Sequence, residues 1–346
     1  MNSISELQQL IKVGTSDWEA YGDVRAAYHN SLPLVMFSYT SAAQFSGRWN
    51  WFERVSRGLI LNAKTGEVVA RPFDKFFNWG ERRQYSNGHI VTVTEKIDGS
   101  LGILYRDGVL PSVATRGSFE SEQAIWATEH LRMFYDLNHL PDEYTLLFEI
   151  VYPGNRIVVD YESTEDLFLL AVRNRYTGEY LPFFPDVYNL AEDYGFPLPR
   201  IFSFNSVTDI IAATDTLPGS EEGWVVEFSD GQRFKFKGDR YLELHRLVTN
   251  TSFKRMLSWV ADGSYTALLA DVPDELLDQI RAWKEEIDTK VAAVTCRIED
   301  AYENAPKDDR KTFALWAKAQ HPDLVSYLFR RLDGQEYTSL IYRAEF

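Results

Sequence analysis

The chain has 346 residues, 45% hydrophobic and 14% aromatic, a composition that buries a core and excludes a disordered protein. Its formal charge of −15, of which residues 250–346 carry 13 Lys and Arg against 17 Asp and Glu, excludes a polybasic nucleic-acid arm but leaves room for a local basic cleft. A single cysteine, Cys296, excludes an intrachain disulfide or a cysteine-rich zinc site; with no membrane-length apolar run and no signal-peptide pattern, the expectation is a soluble, cytoplasmic protein.

From Met36 to Phe236 the chain reads as short strands joined by glycine turns, which predicts an α+β fold with two packed antiparallel sheets and flanking helices. Gly58–Ala63 and Glu67–Ala70 flank Lys64-Thr65-Gly66, a hairpin signal. A β-rich run, Ile90–Ile97, meets a tight glycine turn in Lys96-Ile97-Asp98-Gly99-Ser100, and Leu101–Tyr105 and Val109–Thr115 then flank Arg106-Asp107-Gly108. A helix is expected over Ser118–Leu137 and an apolar strand over Leu146–Val151. Leu167–Arg173 and Glu179–Phe183 flank Arg175–Gly178; helices follow over Pro185–Tyr194 and over Ser206–Thr214, the latter capped by Ser206 or Asn205. Trp224–Phe228 and Arg233–Phe236 flank Ser229-Asp230-Gly231. From Tyr241 onward apolar residues recur at spacings of three and four (Leu276, Leu277, Ile280, Trp283, Ile287, Val291), which predicts an all-helical C-terminal domain and a division into residues 1–248 and 249–346.

Lys96 puts an amine where a strand meets a turn, a suitable place for a nucleophile once its charged form is disfavoured. Gly99 lets backbone approach a ligand without a Cβ in the way, and Asp98 adds a carboxylate; alone, such a tetrapeptide is also an ordinary solvated turn. Arg57-Gly58 opens a strand, and Arg71-Pro72-Phe73-Asp74-Lys75-Phe76-Phe77-Asn78 sets cations among aromatics. Cations snorkelling over a sheet edge explain these equally well. Arg116 can face the same cleft from an adjacent strand. Glu149 shares a face with Leu147 and Val151, so its carboxylate points either into a site or into solvent from an edge strand. Glu222 enters another apolar strand, and Lys235 and Lys237 alternate with Phe234 and Phe236, a pattern that an ordinary amphipathic strand also gives.

Taken in order, Arg57-Gly58, Lys96-Ile97-Asp98-Gly99-Ser100, Arg116, Phe148-Glu149, Glu222-Gly223 and Lys235-Phe236-Lys237 resemble the covalent nucleotidyltransferase superfamily of ATP-dependent ligases and capping enzymes. Phe148-Glu149, together with Arg57-Gly58 and the 71–78 stretch, resembles the bacteriophage RNA ligase 1 family in particular, over roughly residues 35–245. The resemblance implies a ligase-type nucleotidyltransferase (ATP-grasp-like) core. It implies ATP-dependent joining of 5′-phosphate and 3′-hydroxyl ends of single-stranded RNA, nicked tRNA included, through lysyl-AMP and RNA-adenylate. Lys96 becomes the nucleophile, Lys235 and Lys237 neutralise the α-phosphate and bring Lys96 toward the free amine, and Asp98 orients the nucleophile or a metal-bound water. Tyr39, Arg57, Lys75, Glu95, Arg116, Glu149, Glu222, Lys235 and Lys237 are implied to line the nucleotide site. Glu222, Glu149 and Asp98 are implied to serve Mg²⁺, with Mn²⁺ able to replace it. Arg116 departs from the lysine expected there, keeping the charge and changing its geometry.

As partners the resemblance implies RNA ends, tRNA among them, and an end-healing kinase or phosphatase, for a monomer with no membrane attachment, in the host cytoplasm if phage-encoded. The C-terminal domain is expected to help recognise RNA, with Trp259, Trp283 and Trp316 reading as core at helical spacing. Three alternatives remain: a DNA ligase, a GTP-dependent capping enzyme, and a noncatalytic protein that binds RNA ends. An OB-fold after Lys237 favours the first two, but the sequence turns helical there; a lost motif residue favours the third, and none is lost.

Overall fold

The computed structural model describes residues 1–106, 110–248, 253–265 and 277–344, and the chain divides into two compact units, Met1–Thr249 and Asn250–Phe346. The first is α+β. Its strands β1 (Val24–Tyr28), β2 (Leu34–Tyr39), β3 (Arg57–Asn62) and β4 (Val68–Ala70) pair in the order β1-β2-β3-β4. A second sheet, β10-β9-β7-β8, is built from β7 (Ser100–Arg106), β8 (Pro111–Ala114), β9 (Tyr144–Val151) and β10 (Asp166–Asn174). The third, β11-β6-β12-β13-β5, takes β5 (Phe77–Asn78), β6 (Ile90–Glu95), β11 (Ile201–Phe202), β12 (Gly223–Phe228) and β13 (Arg233–Lys237). Its β13–β5 pair is parallel, with Phe234 opposite Phe77.

The period of two along a strand decides which core each side chain joins. In β2, Val35 and Phe37 pack with Leu7, Ile11 and Phe52 from helices α1 (Ile4–Lys12) and α3 (Trp51–Val55). Leu34 and Met36 face the other way and pack with Ile103, Tyr105, Leu147 and Ala171 of the second sheet. That sheet's opposite face, Leu146, Phe148, Ile150 and Leu169, is covered by Ala127 and Leu131 of α4 (Glu122–Phe134) and Ala191 of α5 (Tyr188–Tyr194). Glu149 therefore lies in a central strand, on the face it shares with Leu147, and not on a sheet edge.

The hairpin signals are distributed over three sheets, not the expected two. The reason lies at Lys96: β6 pairs with β12 and β11, whereas β7 pairs with β8 and β9, so residues 96–99 cross from one sheet to another instead of closing a hairpin. The expected strand Glu179–Phe183 reduces to one bridge, Arg173 to Tyr180, before Pro182 and Pro185 interrupt it. The turn at residues 107–109 lies outside the described residues. Helix α4 begins at Glu122, later than expected, because the Ser121 side chain accepts from the Ala124 N–H as N-cap. Ser206 caps α6 (Val207–Thr214) in the same way. Helices α1, α2 (Ser41–Ser46) and α3 were not expected, and α7 (Asp239–Val248) closes the unit.

The second unit contains helices α8 (Phe253–Asp262), α9 (Leu277–Glu303), α10 (Arg310–Gln320), α11 (Val325–Leu332) and α12 (Thr338–Ala344). Ile298, Phe313, Ala317, Leu328 and Ile341 form its core. Trp316 packs against that core, as expected, and like Trp259 and Trp283 it is half-buried, keeping part of its surface exposed. Leu276 and the expected boundary at residue 249 lie outside the described residues. No helix among the described residues is long and apolar enough to cross a membrane.

Candidate active site

Lys96 follows β6, and its backbone N–H donates to Gly223 O at 2.8 Å, which fixes the crossover against β12. Gly223 has φ +141, and a Cβ there would stand 1.9 Å from Phe236 O, so only glycine lets β12 and β13 close here. The preceding residue, Glu222, is buried and forks between two lysines. One oxygen is 2.6 Å from Lys96 Nζ and the other 3.1 Å from Lys237 Nζ. The sequence reading set cations beside Lys96; the structure sets a carboxylate between Lys96 and Lys237. An amine held in such a pair is charged, and if the Lys96 contact opens, Lys237 still pairs with Glu222.

Glu149 sits close enough to Lys96, Glu222, Asp98 and Arg57 to feel all four charges. Burial, with Glu222 and Asp98 adding to it against Lys96 and Arg57, pushes its carboxyl up to about 7. Gly99 makes the neighbouring approach possible, because a Cβ on it would lie 2.6 Å from Ile150 O and 3.2 Å from Glu149 Cγ. Its close contact is thus with β9.

The remaining cations are arranged by aromatic rings. Phe76 has Arg57 on its ring at 5.3 Å and Lys235 Nζ also at 5.3 Å. Arg57 opens β3, and its buried Nη1 has no hydrogen-bond partner among the described residues. Lys75 is buried with its Nζ 5.8, 5.2 and 5.5 Å from the ring centres of Tyr39, Trp49 and Phe77. Arg116 donates to the Tyr39 hydroxyl at 2.9 Å while lying 4.9 Å over the same ring. Gly58 brings β3 against Arg116, since a Cβ there would meet Arg116 Cα at 3.2 Å. Arg57, Lys75, Lys96, Arg116, Lys235 and Lys237 are thus drawn from all three sheets or the loops beside them.

Two expected site residues have their carboxylates held by other groups of the protein. Glu95 is gripped by Arg200 through Nε and Nη2, at 2.9 and 3.0 Å. Asp98 is 4% exposed, and its Oδ2 accepts from the Val158 and Val159 N–H groups, both at 2.8 Å, while its Oδ1 accepts from the Tyr241 hydroxyl at 2.9 Å. That carboxylate anchors the loop after β9 and helix α7, and its oxygens are occupied by protein donors. In the 71–78 stretch, Asp74 pairs with buried Arg173 at 2.9 Å, a structural contact. Trp49, Tyr161 and Tyr241 were missed, because nothing local in sequence marks an aromatic that reaches a site across long chain separations.

The donors suit a hard divalent cation: Glu149 and Glu222 offer only oxygen, and Glu149 is a carboxyl that an arriving cation would ionise. Among the described residues no group of three His, Cys, Asp or Glu side chains is arranged to hold a metal ion. A divalent cation that keeps much of its water and takes phosphate oxygens would find Glu149 and Glu222 as further oxygen donors.

Against known proteins, the RNA ligase family matches residues 55–241. A protein of Autographa californica nuclear polyhedrosis virus, provisionally assigned as a bifunctional polynucleotide kinase/RNA ligase, is 32% identical over 251 residues, covering 63% of this chain and 34% of that protein. An RNA ligase of Rhodothermus phage RM378 is 26% identical over 391 residues, covering 89% of this chain and 86% of that protein. A solved structure from Aquifex aeolicus, provisionally assigned as an ATP-dependent DNA ligase, has a TM-score of 0.51 at 16% identity over 82% of this chain and 79% of that chain, a likeness of fold alone. The chain thus spans about a third of the viral relative and most of the phage one.

Proposed function

Since the chain belongs to the RNA ligase family, the family of the bacteriophage RNA ligase 1 enzymes, we propose that it joins 5′-phosphate and 3′-hydroxyl ends of single-stranded RNA at the expense of ATP. The observation that carries this reading is the Lys96–Glu222–Lys237 fork, a nucleophile and a second cation sharing one buried carboxylate beside further cations. Lys96 Nζ attacks the α-phosphorus of ATP, the bond to the bridging oxygen breaks, and pyrophosphate leaves. Lys237 and Lys235 meet the charge that grows on the α-phosphate oxygens. Arg57, whose buried Nη1 lacks a partner among the described residues, and Lys75 and Arg116, held by rings, are assigned to the β- and γ-phosphates. A divalent cation held with ATP near Glu149 and Glu222, Mg²⁺ or Mn²⁺, supplies neutralisation of phosphate charge.

A 5′-phosphate oxygen of RNA then displaces Lys96 from the AMP phosphorus, and the P–N bond breaks. Glu222 is at hand to stabilise the lysine as it regains its proton. A 3′-hydroxyl finally attacks the activated 5′-phosphorus, forming the phosphodiester and releasing AMP. Tyr39 and Glu149 are assigned to the nucleotide. Asp98 is assigned to positioning, in place of a metal-ligand role, and Glu95 to the margin of the site. Residues 249–346 are proposed as a substrate-recognising domain; the partly exposed Trp259, Trp283 and Trp316 offer rings on which unstacked bases can lie. An end-healing kinase or phosphatase is the proposed partner, in keeping with the dual assignment of the viral relative. We assign a monomer acting in the cytoplasm, that of the host cell if the chain is phage-encoded, with broken tRNA among its substrates.

The test is to supply 5′-phosphorylated single-stranded RNA, ATP and Mg²⁺. Joined or circular product with ATP, and none with GTP, is expected. Joining of nicked duplex DNA in preference to RNA ends would move the assignment to a DNA ligase.

A further inference from the structure

The turn that carries Lys96 is held from two sides. On one, Lys96 N–H donates to Gly223 O; on the other, the Asp98 N–H donates to the Tyr161 hydroxyl at 2.8 Å. The same short stretch makes three more contacts with the loop that follows β9. Asp98 Oδ2 takes the Val158 and Val159 N–H groups, and Ser100 Oγ bonds Asn155 Oδ1 at 3.0 Å, while Asn155 Nδ2 donates to Ile150 O at 2.7 Å. The loop is itself tightly wound. Glu162 has φ +57, a left-handed conformation that a non-glycine residue adopts at a cost, and it donates through N–H to Asp160 Oδ1 at 2.9 Å, while Thr164 N–H closes onto Tyr161 O at 3.0 Å. Such a turn fixes where the Tyr161 ring can go, and Val158, Val159, Tyr241 and Leu242 pack around it.

From this geometry we propose that Tyr161 is a positioning residue for the nucleophile: its hydroxyl, accepting from the Asp98 N–H two residues after Lys96, holds the crossover so that Nζ is aimed at the α-phosphate. The inference rests on the proposed adenylyl transfer to Lys96. Ile97 and Asp98 are buried, so the Asp98 N–H has little access to water, and removing its acceptor leaves a donor that is met only by shifting the turn. Burial, with the negative charges of Asp98, Glu95 and Glu149 adding to it, pushes the Tyr161 hydroxyl up from its usual range, so the group stays a neutral acceptor at working pH. A small displacement of the turn misplaces an amine that must meet phosphorus in line, and misplacement of that order slows a reaction by about tenfold to a hundredfold.

The role predicts a loss confined to one step. Sealing of RNA that already carries AMP on its 5′-phosphate does not use Lys96 as nucleophile, yet it needs the same folded nucleotide pocket. Full-length Tyr161→Phe and the unaltered chain are compared for two rates: transfer of label from α-labelled ATP to protein, and sealing of pre-adenylylated single-stranded RNA. The expected result is adenylylation slowed about tenfold or more at saturating ATP, an ATP KM within about twofold, and sealing within about threefold of the unaltered chain. Normal adenylylation by Tyr161→Phe overturns the inference. So does a proportional loss of both rates, which is what a merely structural tyrosine gives. Absence of label on the unaltered chain overturns the proposed function and this inference with it.

Discussion

Replacing Glu149 by glutamine keeps the side-chain volume and removes a charge from the most crowded part of the site. In the folded protein its carboxyl titrates near 7, against an ordinary value of 4.5. Below pH 4.5 both the folded and unfolded chains hold the proton, and Glu149 carries no pH-dependent penalty. As pH rises from 4.5 to 7 the unfolded chain releases the proton while the folded chain keeps it, so stability falls, and above 7 the loss levels off. At about 1.4 kcal/mol per pH unit the full fall is about 3 kcal/mol, and the neighbouring Lys96 and Arg57, free to readjust, reduce the expected figure to about 1–3 kcal/mol. Glu149→Gln lacks this term. The variant's melting temperature, measured relative to the unaltered chain, should therefore climb between pH 4.5 and pH 8, by about 2–4 °C per kcal/mol for a unit of this size. Paired thermal melts at half-unit pH steps read the difference directly, with other titrating groups cancelling between the two proteins. A difference that stays flat, or that falls with pH, refutes the reasoning that Glu149 is held protonated by its surroundings.

Glu222→Ala strands Lys96 and Lys237 without their shared carboxylate, and Lys237→Ala removes the cation proposed for the α-phosphate; each should slow adenylylation by about tenfold or more, as measured by label transfer. A near-normal rate in either assigns that residue to structure alone. Arg57→Ala should raise the ATP concentration needed for half-maximal adenylylation by about tenfold, the worth of a hydrogen bond to a charged group, and an unchanged KM would contradict its placement at the phosphates. Deleting the residues after Thr249 should leave label transfer more intact than the joining of a structured tRNA; equal loss of both, in a truncation that still melts cooperatively, argues against a substrate-selecting role for the helical unit.

What the sequence made legible was chiefly what repeats locally. Glycine turns and alternating strands gave the α+β class, and helical spacing gave the all-helical C-terminal region. The ordered motifs carried Lys96, Glu222 and Lys237 to one place, where the structure joins them through a single carboxylate. Long-range pairing was not legible: nothing near Ile90 says that its strand will pair with residues 223–228, so the crossover at Lys96 looked like an ordinary turn. Side-chain commitment was hidden for the same reason. Asp98 looks like a free carboxylate in sequence, and only the folded loop shows two amides and a tyrosine hydroxyl filling its oxygens. Tyr161, 65 residues beyond Lys96, carries no motif at all.

The central claim is that Lys96 carries AMP. Incubating the full-length chain with α-labelled ATP and Mg²⁺, then denaturing and separating it, measures this directly. The account predicts label that survives denaturation, is released by pyrophosphate added before denaturation, is not obtained from α-labelled GTP, and is absent from Lys96→Ala. A protein that takes no label, or a Lys96→Ala protein that takes as much as the unaltered chain, would contradict it.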